Sequence, residues 1–251
     1  MRAIILAAGR GSRLHQAPGR HLPKCLLQFG GATLLQRHLH LLRRAGIDEI
    51  VLALGFRHEL IEAELDRLAW RPRPEIVLNE RYELGSILTV HSVSDAITRG
   101  GDILLMDADV LYDERILAPL VAGRPPVNRL LIDRDFEGGD EPVKVCLRGG
   151  VPIEMRKQIP SELRYDLIGE SVGFFRLDPV VARRLASLAA GYVEGARASA
   201  PHEEALRDLL LEDGRTFEVA DVTGAPWIEI DFVDDLTRAE REILPRLRAL
   251  P

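Results

Sequence analysis

Two carboxylates spaced i and i+2, Asp107 and Asp109, follow directly on the apolar run Leu104-Leu105-Met106. Hard oxygen ligands of this kind suit Mg²⁺, which takes one or two protein carboxylates and completes its shell with water and substrate phosphates. A cap or turn ahead of a helix over Asp113 to Val121 is a common use of aspartate, but it does not explain two of them at the end of an apolar strand. At the start of the chain, Leu6-Ala7-Ala8-Gly9-Arg10-Gly11-Ser12-Arg13-Leu14 leaves a first strand as a small-residue loop. Backbone N–H groups in such a loop can come close to a phosphate chain. Pro23-Lys24-Cys25-Leu26 follows, so Arg13 and Lys24 bring two cations toward one strand end, where they can neutralise a triphosphate.

Other chemistries are excluded by what the pattern lacks. A dinucleotide fingerprint needs a third small residue and an immediate helix, whereas Leu14 stands at that position and the next helical pattern waits until Thr33. The Gly-Lys-Ser/Thr triplet of a P-loop does not occur in the chain. The seven histidines form no HExxH motif, and His38 and His40 fall on different faces of a helix, which argues against a zinc hydrolase. Cys25 and Cys146 are too few for a disulfide framework and imply no cysteine chemistry.

The loop and the Pro-Lys pair together resemble the nucleotidyltransferases of the sugar-nucleotide pyrophosphorylase superfamily, which open with a strand, an LAAGxGxRL loop and a following PK pair. The resemblance implies that Leu6, Ala8, Gly9, Gly11 and Arg13 contact the nucleotide, CTP in this reading, and that Lys24 holds its phosphates. It implies a metal ligand at Asp109. The segment Trp227-Ile228-Glu229-Ile230-Asp231-Phe232, with Asp234-Asp235-Leu236 after it, is similar to the WxEIDxxxDL segment of the choline-phosphate and phosphonate cytidylyltransferase branch. By that likeness Asp231 is the second ligand of Mg²⁺. Glu229 lies two residues earlier on the same strand face and points into the same site. Asp234 or Asp235 fits the cap of the last helix.

The resemblance also places base and ribose contacts at Asn79, Gly85 and Ser86, although Asn in a turn and Ser as an N-cap are ordinary uses of both. Lys144 and Lys157 match the family's phosphate-contacting lysines, with surface lysine as the bland alternative. Glu170, in Gly169-Glu170, matches its acceptor pocket. Arg13, Lys24 and Lys144 form the expected catalytic set. Acceptor choice is read from charge: Asp133, Asp135, Glu137, Asp140 and Glu141 crowd one segment, and Glu203 and Glu204 open a later helix. An anionic wall favours an acceptor carrying an ammonium group, such as phosphocholine, phosphoethanolamine or 2-aminoethylphosphonate, with Phe136, Tyr165 and Trp227 as available aromatic faces. A solvated acidic loop is the alternative. Sugar-1-phosphate or inositol-phosphate nucleotidyl transfer, and a non-catalytic nucleotide-binding regulator, stay open.

The elements that must position these residues alternate. Apolar strand runs near Arg2 to Leu6, Glu49 to Leu54, Glu75 to Leu78, Asp102 to Met106 and Arg129 to Ile132 are separated by helical patterns. The first helix opens on a Thr33-x-x-Gln36 capping box and stacks Leu35, Leu39 and Leu42; the second stacks Ile61, Leu65 and Leu68. The pattern predicts an α/β fold, a Rossmann-like, mostly parallel mixed sheet with helices on both faces and ligands at the strands' carboxyl ends. Shorter strands at Val143 to Leu147, Val151 to Met155 and Ser171 to Leu177 read as an inserted antiparallel acceptor-binding lobe. Helices near Pro179 to Ala190 and His202 to Leu211 follow, and a final one turns Leu236, Ala239, Ile243 and Leu247 inward. Arg71 to Pro74 and Arg124 to Pro126 are loop punctuation.

One domain over residues 1–251 is expected, with the NTP-binding part at about 1–125, the acceptor lobe at about 133–177 and the metal-site strand and helix at about 216–250. The formal net charge of -6, without a basic block, argues against nucleic acid and anionic membrane as partners. No stretch approaches the roughly 20 apolar residues of a transmembrane helix, so a cytoplasmic chain is expected. Nothing in the sequence speaks to oligomeric state.

Overall fold

The structure, a computed structural model, describes residues 1–14, 21–123 and 127–250; the loop expected at Arg124 to Pro126 lies outside the described residues. In chain order the strands are β1 (Arg2–Ala7), β2 (Gln28–Phe29), β3 (Ala32–Thr33), β4 (Ile50–Leu54), β5 (Glu75–Leu78), β6 (Ile103–Asp107), β7 (Val110–Tyr112), β8 (Asn128–Asp133), β9 (Lys144–Arg148), β10 (Val151–Arg156), β11 (Leu167–Leu177), β12 (Phe217–Asp221) and β13 (Trp227–Glu229). The helices are α1 (Leu34–Arg44), α2 (His58–Arg67), α3 (Ser86–Ser92), α4 (Ser94–Thr98), α5 (Glu114–Val121), α6 (Pro179–Glu194), α7 (His202–Glu212) and α8 (Val233–Arg238).

β1, β4, β5 and β6 run parallel, with β1 between β4 and β6. Their apolar residues alternate between the faces: Ile4, Val51, Ala53 and Leu105 pack under α3, α4, α6 and α7, while Ala3, Ile5, Leu52 and Leu104 pack under α1, α2 and α5. Burial on both faces is why β1, β4 and β6 read as unbroken apolar runs, while β5 lies at the sheet's edge and is only partly covered. The parallel direction puts four strand ends, and the loops that leave them, along one edge.

β11 then joins the sheet antiparallel to β6. Its long run pairs with β8 on one side and, through its first residues, with β9 on the other, and β9 and β10 form a hairpin beside it. This is the antiparallel lobe, and it grows out of the same sheet. β12, which the sequence pattern did not signal, runs parallel to β8. Its residues Phe217–Asp221 alternate poorly, because both Glu218 and Asp221 face solvent.

Helix starts follow local chemistry. The Thr33 side chain accepts from the Gln36 N–H at 3.0 Å, and Leu35, Leu39 and Leu42 are wholly buried; each buried leucine contributes roughly 1.5–3 kcal/mol. Asp113 caps α5 through the Arg115 N–H. Gly85, and not Ser86, is the N-cap of α3. The last helical stretch is shorter than its apolar spacing implies: α8 ends at Arg238 and continues as a wider turn over Ala239–Ile243. Leu236 and Ala239 are nonetheless buried, with Ile243 and Leu247 packed against them.

Candidate active site

β7 and β13 form a two-stranded antiparallel ribbon at the carboxyl end of β6, with Glu229 opposite Val110 and Ile228 opposite Leu111. One further bond, from the Ile230 N–H to the Asp109 carbonyl at 3.0 Å, carries the register past the ribbon. It sets Asp231 beside the Asp107-Ala108-Asp109 turn, although more than 120 residues of chain separate them. Asp235 accepts from the N–H groups of Asp231 and Phe232 at 2.9 and 2.7 Å, so the expected helix cap also holds the Asp231 backbone.

Lys24 reaches this junction from the opposite direction. Its Nζ lies 2.8 Å from Asp109 Oδ2 and 2.5 Å from Asp231 Oδ1, with about 15% of the side chain exposed. Burial acts to lower its proton affinity, but the charges of and hydrogen bonds to Asp109 and Asp231 prevail, and Lys24 sits well above the usual lysine range. Arg13 reaches Asp231 as well, at 3.2 Å, and lies over the Phe232 ring at 5.1 Å. Gly11, at φ +62°, turns the loop against the Lys24 stem: a Cβ there would sit 2.9 Å from Lys24 Cγ.

The carboxylates outnumber these cations. Asp109, Glu229 and Asp231 each offer an oxygen within 4.8 Å of the others, an all-oxygen donor set that fits a hard divalent ion. Burial, followed by the charges of Asp109, Asp231 and Asp107, raises Glu229 well above the ordinary glutamate range; because Glu229 keeps an exposed edge, charge crowding is the firmer cause. Burial, then Asp109 and Glu203, raises Asp107 in the same way. Such a group of acids gains by taking up a cation, and the Lys24 ammonium already occupies part of that place.

The remaining expected residues divide. Leu6 lies in β1, and Ala8 and Gly9 follow it at the parallel edge; the Ala8 carbonyl accepts from the Phe56 N–H at 3.0 Å. Asn79 is buried, donates to Thr89 Oγ1 and accepts from the Arg81 N–H, so both ends of its amide are engaged within the turn. Gly85 packs so tightly on Ala198 and Ser199 that a Cβ would lie 2.7 Å from backbone. Ser86 Oγ accepts from the His202 N–H at 2.8 Å and lies 3.1 Å from His202 Nδ1, tying α3 to the start of α7. Lys144 Nζ donates to the carbonyls of Gly139, Pro142 and Lys157 and thereby braces the loop before β9. Lys157 and Arg13 both bind Glu141, at 3.0 and 2.9 Å.

A cleft of about 610 Å³ opens between that loop and the C-terminal segment. Asp133, Asp135, Glu137, Asp140, Glu141 and Glu170 line it, with Phe136, Trp227 and Phe232 as its aromatic faces; Tyr165, offered by the sequence as an aromatic face, does not line it. Trp227 Nε1 donates to Asp133 Oδ2 at 2.8 Å. Burial and the neighbouring Asp133 push the Glu170 carboxyl up to about 7. A smaller pocket joins Asp107, His202 and Glu203 to Asp231 and Lys157. His202, 3.5 Å from Asp107, was not singled out in the sequence; only its place at the first turn of a helix marked it. The thiols stand apart, Cys25 pushed by burial up to about 12 and Cys146 up to about 11.

Residues 3–162 match the sequence profile of the MobA-like NTP transferase domain family. Among curated proteins, the bifunctional IPC transferase and DIPP synthase of Rubrobacter xylanophilus is 28% identical over 243 residues, 96% of this chain and 52% of that protein. Choline-phosphate cytidylyltransferase of Haemophilus influenzae is 36% identical over 117 residues, 46% of this chain and 47% of that protein. The CMP-5'-(3-aminopropyl)phosphonate synthase of Streptomyces rubellomurinus is 26% identical over 98% of this chain and 39% of that protein. The chain thus spans about half the length, or less, of these relatives. Among solved structures, the inositol-1-phosphate CTP transferase from T. maritima superposes with a TM-score of 0.77 at 21% identity, covering 99% of this chain and 98% of that one. The CTP:phosphocholine cytidylyltransferase of Streptococcus pneumoniae gives 0.72 at 18%, covering 95% and 97%. At these identities the two likenesses establish the fold.

Proposed function

The chain belongs to the MobA-like NTP transferase family, and from that premise we propose that it transfers CMP from CTP to a small phosphorylated or phosphonylated alcohol with release of pyrophosphate. The observation that carries this reading is Lys24, held between Asp109 and Asp231 at the parallel strand ends. Three segments distant in sequence meet there, and their charges are those that a triphosphate and its metal require.

Asp109, Asp231 and Glu229 would hold Mg²⁺, whose double charge offsets that of the phosphates. The acceptor's phosphate or phosphonate oxygen is anionic at neutral pH, so no general base is needed. Repulsion between anions is the main barrier, and Arg13 and Lys24 screen it while fixing the α-phosphate for in-line attack. The acceptor oxygen bonds to the α-phosphorus, the α–β bridging bond breaks, and its electron pair leaves with pyrophosphate. With Asp109 and Asp231 holding the ion, the Lys24 ammonium would be free to face the phosphates. Leu6, Ala8, Gly9 and Gly11 line the nucleotide's path, and Asn79, Gly85 and Ser86 shape the floor on which its base lies rather than offering free polar groups. Lys144 and Lys157 set the loop over the acceptor, with Glu170 and Glu203 on its walls.

The acidic cleft supports an acceptor bearing an ammonium group, of the phosphocholine, phosphoethanolamine or aminoalkylphosphonate kind. An inositol phosphate is the second reading, suggested by the inositol-1-phosphate CTP transferase from T. maritima, which shares this fold over 99% of the chain. Pyrophosphate release measured across four nucleotides and both acceptor classes separates them. Turnover with CTP and an amino-alcohol phosphate or aminophosphonate is expected; turnover with inositol phosphate alone shifts the acceptor, and CTP binding without turnover on any acceptor defeats the enzymatic reading.

A further inference from the structure

His38, on α1, is wholly buried directly beneath the Asp107-Ala108-Asp109 turn. Its Nε2 lies 3.2 Å from the Ala108 carbonyl and its Nδ1 3.2 Å from the Tyr112 hydroxyl. A carbonyl can only accept, so Nε2 carries the proton and Nδ1 accepts from the phenol, which fixes one tautomer. Burial pushes His38 down to about 4, which leaves the ring neutral at ordinary pH. Tyr112 and Phe174 enclose it, with ring centroids at 5.1 and 6.2 Å.

Packing alone does not call for an imidazole here. A leucine or phenylalanine would fill a fully apolar pocket without two polar nitrogens to satisfy. What the imidazole adds is a donor aimed at the carbonyl of the Ala108–Asp109 peptide. Rotating that peptide would swing the Asp109 carboxylate, and the Asp109 carbonyl on its far side already holds Ile230, one residue before Asp231. The turn is thus gripped from below by His38 and from the side by the C-terminal segment.

We propose that His38 is a positioning residue of the cation site: by donating to the Ala108 carbonyl it aims the Asp109 carboxylate at the metal. This rests on the reading of Asp109 as a metal ligand. Partners behind metal ligands typically alter affinity 10- to 100-fold when removed. The test titrates the nucleotide-free chain with Mn²⁺, followed by electron paramagnetic resonance, for the wild type, His38→Leu, His38→Gln, Tyr112→Phe and Asp109→Ala, with Tm measured for each. His38→Leu is expected to weaken Mn²⁺ about 10- to 100-fold. His38→Gln, which keeps a donor, should recover most of that loss, and Tyr112→Phe should lose less than His38→Leu. Nitrogen-15 spectra of the wild type should show a neutral ring protonated at Nε2 from pH 6 to 8, a readout that survives if His38→Leu fails to fold. Wild-type Mn²⁺ affinity in His38→Leu, or no gain of His38→Gln over His38→Leu at equal Tm, overturns the proposal. If Asp109→Ala leaves Mn²⁺ binding intact, the metal reading itself fails; if Asp109→Ala abolishes binding while His38→Leu does not, only the role of His38 fails.

Discussion

The strand-end junction and the acidic cleft are built differently. At the junction, β6 and the β7–β13 ribbon set the carboxylates by ladder register, Lys24 comes from a short helical turn over Lys24–Leu26, and Lys24, Asp109 and Asp231 are all at least three-quarters shielded. In the cleft, ligand-facing groups hang on the segment between β8 and β9 and on the C-terminal turns, and its ion pairs, such as Arg238 with Glu137 and Lys157 with Glu141, join exposed side chains. Exposed pairs contribute little to rigidity, whereas groups on element ends hold their geometry. Under the proposed function, the transfer chemistry would belong to the rigid end and the choice of acceptor to the adaptable one.

Substitutions at the junction should therefore have the largest effects. Lys24→Ala and Asp109→Ala are each expected to lower kcat by about 10³-fold or more, with Tm within about 5 °C of the wild type, measured by pyrophosphate release and calorimetry. Near-normal turnover in either variant would break the comparison at its stronger side. Asp231→Asn should raise the Mg²⁺ concentration for half-maximal rate by about 10- to 100-fold, the loss of one charge-assisted contact.

The cleft should respond through KM instead. Glu170, pushed up to about 7, is neutral below that pH and charged above it. For a cationic acceptor, KM should rise as pH falls from 8 to 6, and Glu170→Gln should flatten that profile while leaving kcat near its wild-type value. The stability sign runs the other way. A carboxyl held higher in the folded than in the unfolded chain gives its full stabilisation below the unfolded value of 4.5, and this is lost as pH rises through about 7. Glu170→Gln should thus raise Tm at pH 8 and change it little at pH 4. The smallest effect lies outside both regions: Thr33→Ala removes the α1 cap, costs about 1 kcal/mol of stability in denaturant titration and leaves kcat/KM unchanged.

Legibility in the sequence follows the same division. The parallel strands and their helices were readable because burial on both faces forces unbroken apolar runs, and the expected convergence of Arg13 and Lys24 at one strand end is what the structure shows, with both cations at Asp231. Asp231 was readable only through its resemblance to a known motif; the ribbon that brings it to Asp109 is built from three-residue strands, too short to show periodicity. For Asn79 the turn role open in the sequence is the one observed, with Arg81 and Thr89 as its near partners, whereas Ser86 is engaged by His202, 116 residues on, a partner that leaves no local signal. His38 entered the sequence reading only as an argument against a zinc hydrolase, because its two polar partners, Ala108 and Tyr112, lie about 70 residues away.

The most direct test is a crystal structure with Mg²⁺ and a CTP analogue that cannot release pyrophosphate. An ion held by Asp109 and Asp231, with Lys24 turned from those carboxylates onto the triphosphate, is the predicted result. A nucleotide bound away from the β1 loop, with Lys24 still clamped between the two aspartates, would contradict it.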